Sequence, residues 1–287
     1  MTIPAGGEEK TAMSMIPDNA RRQLREEGWC VLPKLMNPPE LRRVNDALDR
    51  VVGEMRRRGA STHSALLDPN DSNIRVYNLP DWDPVFVELL RHPACLEIVR
   101  EVLGEGVIVS NFSGNIALPG SRPMRIHSDQ ALSVPDPWLE PWALNLIWCL
   151  DDVYDANGAT RFVPRSHKYT RFSEVPKDLA EQTVAFEAPA GSLIAMDGRV
   201  WHTSGSNRTE SARRAMLFGY YVRDFVRQQV NWDVCLSPET QASLDQGARE
   251  LLGMGPKANV RIGSALSRLS PDAELPDILS QGARENA

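Results

Sequence analysis

No stretch of this 287-residue chain approaches the roughly 18 to 20 consecutive apolar residues needed to cross a bilayer, which excludes a membrane-spanning helix from the expectation. The first fifteen residues, Met1 to Met15, hold acidic and small polar side chains without the apolar core of a secretory leader. A cytoplasmic protein is expected. Cysteine is scarce: Cys30, Cys95, Cys149 and Cys235 lie far apart and form no C-x-x-C pair, so they read as small apolar side chains in a reducing compartment. Basic charge is not in excess either. With 32 Lys and Arg against 38 Asp and Glu, the net charge of -6 offers no field to attract nucleic acid or an anionic membrane, and neither partner is expected.

What is present suffices for one sizeable core, since 42% of the residues are hydrophobic. The expected organisation is a loose tail over 1–15, a single domain over 16–255 and a polar extension over 256–287. The first part of that domain reads as helical. Asp18 or Asn19 caps a helix that Gly28 stops, and Trp29 to Leu32 follows as a strand. Pro38 opens a second helix to about Arg58, with Leu41, Val44, Leu48, Val51 and Met55 as its apolar stripe. A third runs from Pro84 to Leu103, broken near His92-Pro93. Gly59 to Asn73 reads as a surface loop holding a solvated His63, and Ile74 to Leu79 alternates like a strand.

From Gly106 the texture changes to about eight short strands between Gly, Pro, Asn and Asp turns. They include Met124 to Asp129, Trp142 to Leu150, Arg199 to Thr203 and Ala215 to Val222. Strands at this spacing behind a set of helices predict a mainly β fold with flanking helices, two facing sheets in a double-stranded β-helix, the cupin-like jelly roll. Pro238 to Gly253 has helical periodicity and is expected to pack outside it.

Within the β region, Arg125-Ile126-His127-Ser128-Asp129-Gln130 is answered downstream by Val200-Trp201-His202-Thr203-Ser204-Gly205. On extended backbone His127 and Asp129 project to the same side, and His202 lies in a similar run. Two histidines and one carboxylate are the set that holds nonheme Fe(II) while leaving positions open. H-x-D alone also arises by chance. Eleven residues after His202 comes Arg213, and Gly205 to Thr209 supplies a turn that returns it beside His202.

His127-x-Asp129, His202 and Arg213, with Asn157-Gly158-Ala159-Thr160-Arg161-Phe162-Val163-Pro164-Arg165-Ser166-His167, resemble the phytanoyl-CoA dioxygenase (PhyH-like) family of Fe(II)/2-oxoglutarate-dependent oxygenases. The resemblance spans roughly Ile16 to Met254. It departs at Arg165, where the family's Pro-Gly-Ser-His turn has glycine, and it makes His167 a structural residue. The resemblance implies that His127, Asp129 and His202 are both the metal ligands and the catalytic set, with Fe(II), 2-oxoglutarate and O2 as cofactor and cosubstrates. It places a guanidinium on the far carboxylate of the oxoglutarate: Arg213 by motif position, with Arg214 as competitor, since alternation turns only one inward. Thr160, Ser204 and Asn145 are implied as further cosubstrate contacts.

Asp129 separates the chain from related halogenases, which leave that position to Ala or Gly. The implied reaction couples decarboxylation of 2-oxoglutarate to oxidation of a positioned C-H bond, hydroxylation by default. Desaturation, epoxidation and ring formation stay open. Tyr77, Leu132, Trp138, Trp142, Trp201 and Phe225 are candidate wall residues for a small, largely apolar metabolite, as in natural-product biosynthesis. An acyl-CoA substrate would use Arg56-Arg57-Arg58, which also reads as pairing at a helix C-terminus. A zinc-dependent hydrolase on the same triad, a noncatalytic jelly-roll binding protein and a homodimer also stay open.

Overall fold

The computed structural model describes residues 14–255. The expected extension over 256–287, and all but Ser14 and Met15 of the expected tail, lie outside the described residues.

Four helices form one layer. The first, α1 (Asp18–Glu27), begins at Pro17 without a side-chain cap, so neither Asp18 nor Asn19 plays the expected part. The second, α2 (Pro38–Arg57), is capped reciprocally by Asn37 and Glu40 and buries Val44, Leu48, Val51 and Met55. Where one interrupted helix was expected there are two, α3 (Pro84–Leu90) and α4 (Pro93–Leu103). Proline cannot donate at the junction, and His92 caps α4 by accepting from the Ala94 N-H through Nδ1 at 3.2 Å. This histidine is structural.

Nine strands are found among the described residues: β1 (Trp29–Leu32), β2 (Asn73–Val76), β3 (Val107–Ala117), β4 (Ala143–Cys149), β5 (Thr160–Phe162), β6 (Val184–Ala185), β7 (Leu193–Asp197), β8 (His202–Ser204) and β9 (Arg214–Arg223). They form an antiparallel six-stranded sheet, β1-β7-β4-β9-β3-β2, and a three-stranded sheet, β6-β5-β8. The sheets do not close into a barrel. Two of the expected short strands, Val107 to Ser110 and Gly114 to Leu118, fuse into the single strand β3, with a bulge at Ser110. The expected strand over Met124 to Asp129 shrinks to a bridge between His127 and His202, after which the chain enters a helical turn, α5 (Asp129–Ser133). The C-terminal helix divides into α7 (Pro238–Ser243) and α8 (Gln246–Leu251), preceded by the short α6 (Trp232–Cys235).

Alternation along the larger sheet sorts its side chains into two cores. Leu146, Trp148, Leu193, Ala215 and Leu217 face the helices; Ile147, Cys149, Ile194, Met196 and Met216 face the smaller sheet and meet Phe162 and Phe186 there. The functional side chains belong to this second, inter-sheet interior.

The joint between α1 and β1 is tight. Gly28 has φ +86, and a Cβ there would lie 2.5 Å from His167 Nδ1 and 2.7 Å from Val200 Cγ2. Gly28→Ala is therefore expected to cost about 2 kcal/mol or more, read as a lower melting temperature with the fold retained. His167 fills this joint, its Nε2 3.3 Å from the Arg25 carbonyl, in keeping with a structural role. The departure at Arg165 has a backbone reason as well. Its φ of +61 is the conformation for which glycine is the usual choice, and a fork of hydrogen bonds from its guanidinium to Glu27 holds it there.

Candidate active site

His127 and His202 are joined through their backbones before their side chains meet. The His127 N-H donates to the His202 carbonyl at 3.0 Å, and the His202 N-H donates to the His127 carbonyl at 2.8 Å. Ser128 is extended, with φ -116 and ψ 130, so Asp129 projects to the same side as His127 although it begins a helical turn. His127 Nε2 lies 3.4 Å from Asp129 Oδ1, and His202 Nε2 lies 3.9 Å from the same oxygen. The three ligand atoms all fall within 4.8 Å of one another. Ligands bonded to one ion at about 2.1 Å sit roughly 3 Å apart, so the donor set fits a metal with little adjustment.

The tautomers suit it too. His127 Nδ1 is 2.9 Å from the Arg125 carbonyl and His202 Nδ1 is 3.0 Å from the Val200 carbonyl; each is thereby the protonated nitrogen, leaving Nε2 free to ligate. Asn145 Nδ2 donates to Asp129 Oδ2 at 3.0 Å and fixes the carboxylate from behind.

Burial and charge set the protonation of the metal-free group. Burial works against a charged Asp129, but the histidines and the bond from Asn145 outweigh it and bring the carboxyl down to about 2. For His127, burial is likewise overcome by the hydrogen bond and charge of Asp129, and its pKa is raised. Burial prevails at His202, whose pKa is lowered.

The two neighbouring arginines face opposite sides of the larger sheet. Arg213 faces the helices: Nη1 binds Asp49 at 2.6 Å, Nη2 binds Asn45 Oδ1 at 2.9 Å, and Nε lies 3.3 Å from Asp151. Arg214 shares the inner face of β9 with Met216. Its Nε donates to the Gly158 carbonyl at 2.9 Å and its Nη1 to Asn115 Oδ1 at 2.8 Å, while the buried Nη2 has no hydrogen-bond partner. Burial, then the like charge of Arg75, lowers its pKa to about 10, so it stays cationic at neutral pH. The turn between β8 and β9 sets which arginine points inward, and spacing alone does not show that.

Thr160 and Ser204 are paired across β5 and β8, both buried. The Ser204 hydroxyl accepts from the Met124 N-H at 2.9 Å, which leaves its own hydrogen to donate. Sequence reasoning missed Arg75. It lies on β2 opposite Asn115 and grips the buried carboxylate of Asp68 through Nε at 2.9 Å and Nη2 at 2.7 Å. Its charge acts on both His127 and Arg214. The available signal was a cation alternating with Ile74 and Val76. The loop before β2 is thus not merely a surface loop, because its Asp68 is 3% exposed.

Of the expected wall residues, Trp138 and Trp201 are buried together in a local apolar core. Tyr77, Leu132 and Phe225 are exposed, and Phe225 stands edge-on to Trp142. Arg57 and Arg58 are taken up by Glu54, and Arg58 also lies over the Trp82 ring.

Two facing sheets that bring a pair of imidazoles and one carboxylate to a common point, with a buried guanidinium in the same interior, are the framework of oxygenases that use nonheme iron and a 2-oxoacid. The chain belongs to the phytanoyl-CoA dioxygenase (PhyH) family, whose model matches residues 24–215. It is 41% identical over 245 residues to Dioxygenase af480 of Aspergillus fumigatus, covering 84% of this chain and 78% of that one. Among solved structures, the non-heme alpha ketoglutarate dependent carbocyclase SnoK from nogalamycin biosynthesis shares the fold at TM-score 0.61, with 22% identity over 76% of this chain and 89% of that one. HygX from Streptomyces hygroscopicus, crystallised with nickel, 2-oxoglutarate and hygromycin B, does so at TM-score 0.59, with 16% identity over 74% and 90%. The protein is an Fe(II)/2-oxoglutarate-dependent dioxygenase. Among the described residues, no helix is long and apolar enough to cross a membrane.

Proposed function

We propose that this dioxygenase oxidises an unactivated C-H bond of a small, largely apolar metabolite, with hydroxylation as the default outcome and a place in natural-product biosynthesis. His127, Asp129 and His202 would hold the ferrous ion, and Arg214, rather than Arg213, would take the far carboxylate of 2-oxoglutarate. The observation that carries this reading is the convergence of the three ligand atoms within 4.8 Å, in an interior where Arg214 keeps one buried donor unused.

With Fe(II), 2-oxoglutarate and O2 bound, the site gains the power to oxidise C-H while the cosubstrate is decarboxylated to succinate. The protein's own side chains bind, orient and exclude water. The Nη2 of Arg214 offers its N-H groups, at permanent charge, to a carboxylate, and Thr160 and Ser204 add hydroxyl donors on the histidine side. Asn145 acts through Asp129 rather than on the cosubstrate. The exposed Leu132 and Leu139, in the segment that follows Asp129, and the Trp142-Phe225 pair supply apolar surface for the substrate. The pairing of Arg57 and Arg58 with Glu54 disfavours an acyl-CoA substrate.

Anaerobic titration with Fe(II) and 2-oxoglutarate is expected to raise a weak visible charge-transfer band, and air to release succinate. Oxygen-independent turnover without 2-oxoglutarate would favour a hydrolase instead. Metal binding should also tighten from pH 6 to pH 8. His127, with its raised pKa, must give up a proton to ligate, so affinity should fall by up to about tenfold per pH unit below that titration.

A further inference from the structure

A row of polar side chains crosses the larger sheet beside Asp129. Asn111 on β3 is opposite Tyr220 on β9, and Tyr220 is opposite Asn145 on β4. Directly opposed residues share a face of the sheet, so all three lie on its inner face, Tyr220 and Asn145 buried and Asn111 at the half-buried margin, where its Nδ2 donates to Gln229 Oε1 at 3.2 Å. Each carries a buried oxygen without a hydrogen-bond partner: Asn111 Oδ1, Tyr220 Oη and Asn145 Oδ1. Tyr220 and Asn145 are only 6% and 7% exposed. The Ser133 hydroxyl approaches Tyr220 Oη without completing a hydrogen bond.

Orphaned polar atoms of this kind are destabilising, and three in one cross-strand row call for an occupant. Asn145 leaves no choice of orientation. Its amide nitrogen is committed to the Asp129 carboxylate, so the amide oxygen must face the interior as an acceptor. Burial, reinforced by the Asp129 charge, pushes the phenol pKa of Tyr220 far up, which keeps it a neutral O-H donor. One donor beside two acceptors matches a group that both accepts and donates. Around them the lining is apolar: Ala143 and Val222, with Ile108 and Val226 packed behind.

Building on the proposed dioxygenase reading, we infer that Tyr220 and Asn145, flanked by Asn111, form a polar subsite for a hydroxyl group of the organic substrate. The hydroxyl accepts from Tyr220 Oη and donates to Asn145 Oδ1. Because Asn145 is also bonded to Asp129, the anchor fixes the substrate's carbon skeleton relative to the ligand set and thereby selects which C-H bond is presented. Tyr220 is a specificity residue in this scheme.

The test uses the full-length protein loaded anaerobically with Fe(II) and 2-oxoglutarate and two probes of one shape, trans-2-decalol and decalin. Binding is measured by equilibrium dialysis. Wild type is expected to hold decalol about tenfold more tightly than decalin, the effect of a well-made hydrogen bond in a dry site. Tyr220→Phe should bring the ratio within about twofold. Its melting temperature should equal or exceed that of wild type, because the deleted hydroxyl has no partner to lose. Failure of wild type to bind decalol, equal affinity for both probes, an unchanged ratio in Tyr220→Phe, or a melting temperature several degrees lower would each overturn the inference. Loss of the charge-transfer band in wild type would strike at the dioxygenase reading instead, and the two failures are read separately.

Discussion

His202→Ala is expected to reduce iron-dependent succinate release by at least about 10²-fold, because removing even an outer partner of a metal ligand costs 10 to 100-fold in affinity or activity. The side chain belongs to the converging donor set, and its Nδ1 is already satisfied by the Val200 carbonyl, so its Nε2 has no structural bond to lose. The loss should therefore come without unfolding. Parallel measurements of bound iron, succinate and melting temperature check it, and wild-type turnover in His202→Ala would remove this residue from the metal site. Asp129→Ala should behave alike in activity, with a further effect on the two histidines, whose charged forms Asp129 favours.

The second large effect distinguishes neighbouring arginines. Arg214→Ala is expected to raise the 2-oxoglutarate concentration for half-maximal succinate release by about 10²-fold, the loss of two charge-assisted hydrogen bonds at roughly 1.5 kcal/mol each. Arg214 is fully buried, so the alanine variant should also lose stability. Arg214→Lys keeps the charge without the planar fork and should fall between the two. Arg213→Ala should leave the oxoglutarate requirement within about threefold and lower the melting temperature instead, since its partners are Asp49, Asn45 and Asp151. If Arg213→Ala alone raised the requirement, Arg214 would not be the anchor.

How much of this was legible in the sequence depended on whether the signal was local. The proline start of α2, the break at Pro93 and the apolar runs of β4 and β9 are properties of neighbouring residues, and they stood out. The spacing of His127, Asp129 and His202 was legible for the same reason, although the bridge and helical turn that join them were not. Arg213 and Arg214 could not be separated, because the turn before β9 fixes the parity of the whole strand and a shift of one residue inverts every side chain. Asp68 with Arg75 and the row Asn111-Tyr220-Asn145 were invisible for a different reason. Their members come from distant segments, and only the pairing of β2, β3, β9 and β4 places them together. The fusion of two expected strands into β3 hid the row further, since the bulge at Ser110 resets the alternation that would have marked Asn111 as inward.

The reciprocal main-chain pairing of His127 with His202 means that the chelating cleft is assembled by the polypeptide rather than by its ion. Stripping the metal should leave the cleft standing, ready to be refilled by ferrous iron or by an inert divalent substitute. Backbone amide exchange at these two positions should consequently stay slow in the apoprotein.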